Sequence, residues 1–180
     1  MLIAISIKNW KSFKNQVSFT MEAGREKNHS ETVVKLKKFR LNLLPISAIF
    51  GPNASGKSNF VKAFSFLQNL IVDPSKVFVS AEPFGFRLDP ETKNQPTELG
   101  VDLWLNDGVY SYSLVLNKQK ILNERLSFKN TSSEKILFQG HKTNFRRTLK
   151  KRNFTRLYQI FNSFFAEKLY CTKSSGRSPD

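Results

Sequence analysis

Apolar and polar positions alternate in two separate parts of the chain, with a helical pattern between them. At the N-terminus Ile3, Ile5 and Ile7 fall on one side of Leu2–Lys8, and Leu2, Ala4 and Ser6 on the other. That predicts a first strand with its β-branched side toward the core. Gln16–Met21 alternates again as a second strand, after a connection over Asn9–Phe13, and residues 33–41 read as a third. Pro45–Phe50 is a short apolar run that reads as a buried strand. From Gly56 to about Ile71, Phe60, Ala63, Phe64, Leu67, Leu70 and Ile71 recur at three- and four-residue spacing, which predicts a helix with one apolar face. Asp73-Pro74 stops it.

Beyond that point the period returns to two, over residues 76–79, 97–105, 109–116 and 121–128. Asn106-Asp107-Gly108 is a tight-turn signal and Asn117–Lys120 a second short connection. Leu99, Val101, Leu103 and Leu105 line one face of one strand, and Tyr110, Tyr112, Leu114 and Leu116 one face of the next. The expectation is an antiparallel meander with one buried face. From Asn144 the spacing is helical again, with Phe154, Leu157, Tyr158, Phe161, Phe164, Phe165 and Leu169 in one stripe. Such a stripe serves a core or a partner helix more often than base stacking. Arg146, Arg147, Lys150, Lys151, Arg152 and Arg156 gather around its start, either in a connection or on an anion-binding face. Thr172–Asp180 has no apolar residue and reads as a disordered tail, leaving residues 1–171 as one domain.

Composition changes this picture in one respect. Among 180 residues, 29 Lys and Arg stand against 14 Asp and Glu, a net charge of +15, which favours polyanionic partners, nucleic acid first. The same charge also fits a solvated surface or pairing with an acidic segment. One cysteine, Cys171, excludes an internal disulfide framework and a cysteine zinc site. No apolar run is long enough to cross a membrane, so a cytoplasmic protein is expected. His29 and His141 lie in polar sequence that reads as solvated loop.

The chemistry concentrates in Gly51-Pro52-Asn53-Ala54-Ser55-Gly56-Lys57-Ser58, which fits the phosphate-loop pattern G-x-x-x-x-G-K-[ST] at every fixed position. An apolar run before it and a helix after it supply the context that this chemistry needs. Glycines let successive N–H groups turn into one concavity, and the helix N-terminus adds partial positive charge. Lys57 then reaches terminal phosphates, and the Ser58 hydroxyl can ligate magnesium. ATP and Mg²⁺ are the expected ligands.

Three features combine: the segment Ile7-Lys8-Asn9-Trp10-Lys11-Ser12-Phe13 after the first strand, the loop Gly51–Ser58, and Phe84-Gly85-Phe86-Arg87-Leu88-Asp89-Pro90 behind the loop helix. Over residues 1–130 this resembles the N-terminal part of the ABC-type AAA ATPases. These are relatives of the OLD nucleases and of the RecF and structural-maintenance-of-chromosomes proteins, and include phage-defence and retron-associated ATPases. The resemblance implies a mixed α/β P-loop fold: a central parallel sheet carrying the loop, and an antiparallel lobe built partly from N-terminal strands. It also implies that Lys11 lies near the nucleotide, beside the alternative of an ordinary exposed lysine. It further implies ATP-driven pairing with a second copy or a homologous ATPase head, and control of a nuclease or other effector subunit.

The sequence departs from that family in three motifs. No apolar strand ends in Asp-Glu, no switch histidine is present, and no helix follows Ser174-Ser175-Gly176, which only faintly resembles a signature motif. Leu70-Ile71-Val72-Asp73 ends the loop's own helix and is followed by proline, so it is a decoy for the missing acidic strand. Gln68 does not occupy a position equivalent to the family's magnesium-contacting glutamine. The expectation is the N-terminal portion of a longer ATPase that binds ATP with little turnover alone. A basic nucleic-acid-binding or scaffold fragment with a relic loop is the alternative. A phosphotransferase fits less well, because the β-rich 76–138 region lacks alternating βαβ units.

Overall fold

The computed structural model describes residues 1–25, 29–72, 85–105, 107–117, 120–130, 133–143 and 159. One six-stranded, wholly antiparallel sheet dominates. Its strands are β1 (Leu2–Lys8), β2 (Val17–Thr20), β5 (Thr97–Leu105), β6 (Gly108–Leu116), β7 (Ile121–Lys129) and β8 (Glu134–Thr143), in spatial order β2-β1-β5-β6-β7-β8. A separate two-stranded hairpin joins β3 (Val34–Leu36) to β4 (Leu41–Leu43). The helix α1 runs over Lys57–Val72.

The alternation sets which face is covered. Val101 pairs with Tyr112, which pairs with Leu126, and Leu99 with Leu114, so these side chains share one face. Against that face α1 packs Ala63, Leu67, Leu70 and Ile71, joined by Ile5, Ile7 and Trp10. Fully burying side chains of this kind contributes about 1.5–3 kcal/mol each. A register shift between Leu2 and Ala4 bends β1. Ile3 is therefore buried in a second cluster with Leu36 and Leu43, beneath the β3–β4 hairpin, and not with Ile5 and Ile7. The rest of the second face is polar, and a cleft of about 410 Å³ opens there among Ser6, Ser111, Ser113, Asp102 and Arg125.

Several expectations are corrected. Residues 33–41 are two short strands broken by a 3-10 turn at Lys37–Phe39, because Arg40 takes left-handed backbone (φ 56°) and reverses the chain. His141 lies in β8, a strand that the alternation did not reveal, since Glu134, Lys135 and Gln139 dilute its apolar run. Pro45–Phe50 is no buried strand: it forms none, and Ile46 and Phe50 are 80% and 89% exposed. Its backbone finds no partner among the described residues. The six-stranded sheet is antiparallel and does not include this segment, so the implied parallel sheet carrying the loop is not found among the described residues. The strand at 76–79, the Asp73-Pro74 stop and the tail from Thr172 lie outside the described residues. So does the aromatic stripe with its basic cluster, apart from the helical, exposed Gln159.

Candidate functional site

The eight-residue loop leads straight into α1. Ser55 N–H donates to Pro52 O at 3.3 Å, and Phe60 N–H to Gly56 O at 2.9 Å, closing the first helical turn. Ala54 (φ 64°) and Gly56 (φ +98°) hold left-handed backbone, which turns the chain back on itself. Lys57 Nζ donates to Gly51 O and Pro52 O, both at 2.7 Å, so the ammonium bridges the mouth of the loop. Gly51, Pro52, Asn53, Ala54, Ser55 and Ser58 are exposed, and Gly56 and Lys57 half-buried. No acidic residue stands in the first turn of α1. The positive end of the helix dipole and the Lys57 charge are thus left for an anion from outside.

These residues fit a polyphosphate. Gly56 is needed where it stands, since a Cβ there would lie 2.9 Å from Ser12 Oγ and 3.3 Å from Phe13 Cζ. For a metal the fit is partial. Ser58 offers one hydroxyl at the helix start, but the described residues hold no cluster of three or more His, Cys, Asp or Glu. Magnesium at this place would rest on Ser58 and phosphate oxygens.

The turn after β1 packs directly on the loop. Trp10 N–H and O pair with Phe13 O and N–H at 2.9 and 2.7 Å. The buried Trp10 ring donates Nε1–H to Asn59 O at 2.8 Å and lies 5.0 Å from Phe66. Asn59 Nδ2 in turn donates to Ser12 Oγ at 3.2 Å. Lys11, between them, is half-buried with φ 47°, and its Nζ sits 5.7 Å from the Trp10 ring centroid. Lys11 therefore belongs to the same neighbourhood as the loop, one residue from the contact with Gly56.

Sequence reading missed the residue that anchors this turn. Asn9 is 2% exposed and has left-handed backbone (φ 50°). Its Nδ2 faces Thr92 O at 3.0 Å, Gln95 O at 2.8 Å and Pro96 O at 3.2 Å, and its Oδ1 accepts from Phe86 N–H at 3.0 Å. Thr97 Oγ1 donates to Asn9 O at 2.6 Å. Lys14 pairs with Asp89 nearby. The lysine's hydrogen bond holds the Asp89 carboxyl below its usual range, and Asp89 holds the Lys14 ammonium above its own. An asparagine closing an alternating strand, a residue type at ease with left-handed backbone, was the available signal.

Other residues singled out from sequence are placed elsewhere. His29 is exposed in a turn, its Nδ1 3.4 Å from Glu31 Oε1. Gln68, Leu70 and Ile71 are all in α1, the last two in its buried face, so the decoy is helix and not strand. A buried carboxyl, Glu124, lies on the core face of β7, where Tyr112 OH donates to its Oε1 at 2.8 Å. Among the described residues its Oε2 has no hydrogen-bond partner. Burial pushes the Glu124 carboxyl up, and the Tyr112 hydroxyl partly offsets this.

A family model described as "AAA domain, putative AbiEii toxin, Type IV TA system" matches residues 46–166, more than half of the chain. The match starts at the exposed Ile46 and takes in the whole loop, α1 and the meander. No curated protein matches the chain.

Proposed function

The chain belongs to this AAA-domain family, and from that premise we propose that it binds ATP with magnesium through Gly51–Ser58. One observation carries the reading. A complete phosphate-loop sequence sits at the N-terminus of α1, with Lys57 across its mouth and no acidic residue in the first turn. The loop N–H groups and the Lys57 ammonium would hold the β- and γ-phosphates, and Ser58 would share the metal. Lys57 would leave Gly51 O and Pro52 O for phosphate oxygens, exchanging neutral acceptors for charged ones.

Hydrolysis needs carboxylates to hold the metal and orient water. The described residues supply no such cluster, so they would come from elsewhere in the chain or from a partner. In this reading the protein is an ABC-type, OLD-like ATPase head. ATP draws it to a second head and so controls an effector acting on nucleic acid in phage defence. The toxin–antitoxin context in the family's description and the +15 charge support that reading.

Calorimetric titration with ATP and Mg²⁺ tests the site. Lys57→Ala should abolish binding while leaving the unfolding transition cooperative; equal affinity in both proteins would contradict the proposal. The charge favours a second reading, direct nucleic-acid binding with a relic loop. That would show as affinity with a steep salt dependence, indifferent to Lys57.

A further inference from the structure

We infer that Asn9 is a positioning residue for the phosphate end of the nucleotide site, acting through the turn that it anchors. The inference rests on the ATP-binding reading above and deepens it. A chain of contacts leads from Asn9 to the loop. The Asn9 amide is buried and satisfied on both sides: its nitrogen faces three carbonyls of the 85–97 segment, and its oxygen accepts the Phe86 amide. Thr97 Oγ1 fixes its backbone oxygen, so β5 holds the residue from one further direction. The next four residues close a tight turn through the paired Trp10–Phe13 hydrogen bonds.

From that turn three side chains reach the nucleotide loop and the helix behind it. Trp10 Nε1–H bonds Asn59 O, Ser12 Oγ accepts from Asn59 Nδ2, and Ser12 with Phe13 covers the Cα of Gly56. Gly56 is the residue whose φ of +98° aims the loop into the helix. Residues 51–55 of the loop are exposed, and their hydrogen bonds run within the loop, from Lys57 Nζ to Gly51 O and Pro52 O and from Ser55 N–H to Pro52 O. The loop's conformation at Gly56 is therefore held from outside, by a turn that the buried Asn9 amide ties to the 85–97 segment. Without that amide, Gln95 O, Pro96 O and Phe86 N–H each lose a hydrogen bond, and Thr92 O is left with the Gln95 N–H alone. The turn then loses its tie to that segment and can shift on Gly56, where a displacement of about 1 Å misaligns the amides that hold phosphate.

The test is Asn9→Gly, since glycine takes the left-handed backbone without steric strain and removes the side-chain amide, its entropic cost falling on stability and not on affinity. Affinity for MgATP and for magnesium tripolyphosphate is measured by calorimetry at a temperature where each protein is fully folded. Positioning of the phosphate end predicts a loss of tenfold or more for both ligands alike. A residue that merely stabilises the fold would lower the unfolding midpoint and leave both affinities unchanged, which would overturn the inference. Loss for ATP alone would also overturn it, because the effect would then lie at the base or ribose. Thr97→Val, which removes one hydrogen bond to Asn9, provides a milder variant with the same predicted direction should Asn9→Gly not fold. Unchanged affinities in a folded Thr97→Val protein would then count against the inference. Failure of the wild type to bind either ligand would remove the ATP reading itself, and the inference with it. Wild-type binding with an unaltered variant would overturn the inference alone.

Discussion

Replacing Gly56 by alanine puts a methyl group where the structure has no room for one. The new Cβ would stand 2.9 Å from Ser12 Oγ and 3.3 Å from Phe13 Cζ, on backbone with φ +98°. The left-handed backbone costs a non-glycine residue about 1–2 kcal/mol. Crowding adds about 1 kcal/mol, at the low end for overpacking, because Ser12 is exposed and its hydroxyl can turn aside. Reduced freedom of the unfolded chain returns about 0.4–1 kcal/mol. The net expectation is a loss of about 2 kcal/mol. With a urea slope of about 2 kcal/mol/M for a chain of this size, the midpoint falls by about 1 M at unchanged slope. Equilibrium urea unfolding followed by circular dichroism reads this directly. The contact with Ser12 is separable by a double-mutant cycle: Ser12→Ala in the Gly56→Ala background should recover about 0.5–1 kcal/mol. A midpoint within about 0.2 M of the wild type would show that the 9–13 turn does not press on the loop.

Two further perturbations probe other parts of the account. Ala54 is exposed with φ 64°, so Ala54→Gly relieves about 1 kcal/mol of backbone strain and loses a comparable amount to chain entropy; stability should stay level or rise by up to about 1 kcal/mol, and urea unfolding that shows a clear loss would contradict the loop geometry. Glu124 has a folded pKa above its unfolded value, so the folded state binds more protons between the two. Its contribution to stability is present below the ordinary carboxyl pKa and is lost as pH rises through the folded pKa. Glu124→Gln removes that titration, so the loss of stability from pH 4 upward should flatten; identical pH profiles of the thermal midpoint would refute the burial argument.

Local pattern carried far where it was strictly periodic. Leu99, Val101 and Leu103, with Tyr110, Tyr112, Leu114 and Leu116, are all buried on one face, as period-two alternation requires of a sheet covered on one side. The helix was legible for the same reason, its apolar spacing matching the buried Ala63, Leu67, Leu70 and Ile71. Pro45–Phe50 was misread because an apolar run shows what a segment could bury, not whether neighbours exist to bury it. Ile3 changed clusters because a one-residue irregularity in pairing moves a side chain to the other face, and composition does not mark it. At the site, the motif identified the eight loop residues. The support around them came from Asn9, Trp10 and Asn59, whose long-range hydrogen bonds span 47 to 88 residues of sequence and leave no local trace.

If Gly51–Ser58 forms a nucleotide pocket, thermal unfolding of the protein responds to MgATP. A ligand that binds only the folded state stabilises it by about 2.7 kcal/mol at a hundredfold excess over Kd. For a chain of this length that raises the midpoint by about 5–10 °C. The wild type should show such a rise and Lys57→Ala none. A cooperative transition that MgATP leaves unmoved in the wild type, or moves equally in both proteins, would contradict a nucleotide pocket there.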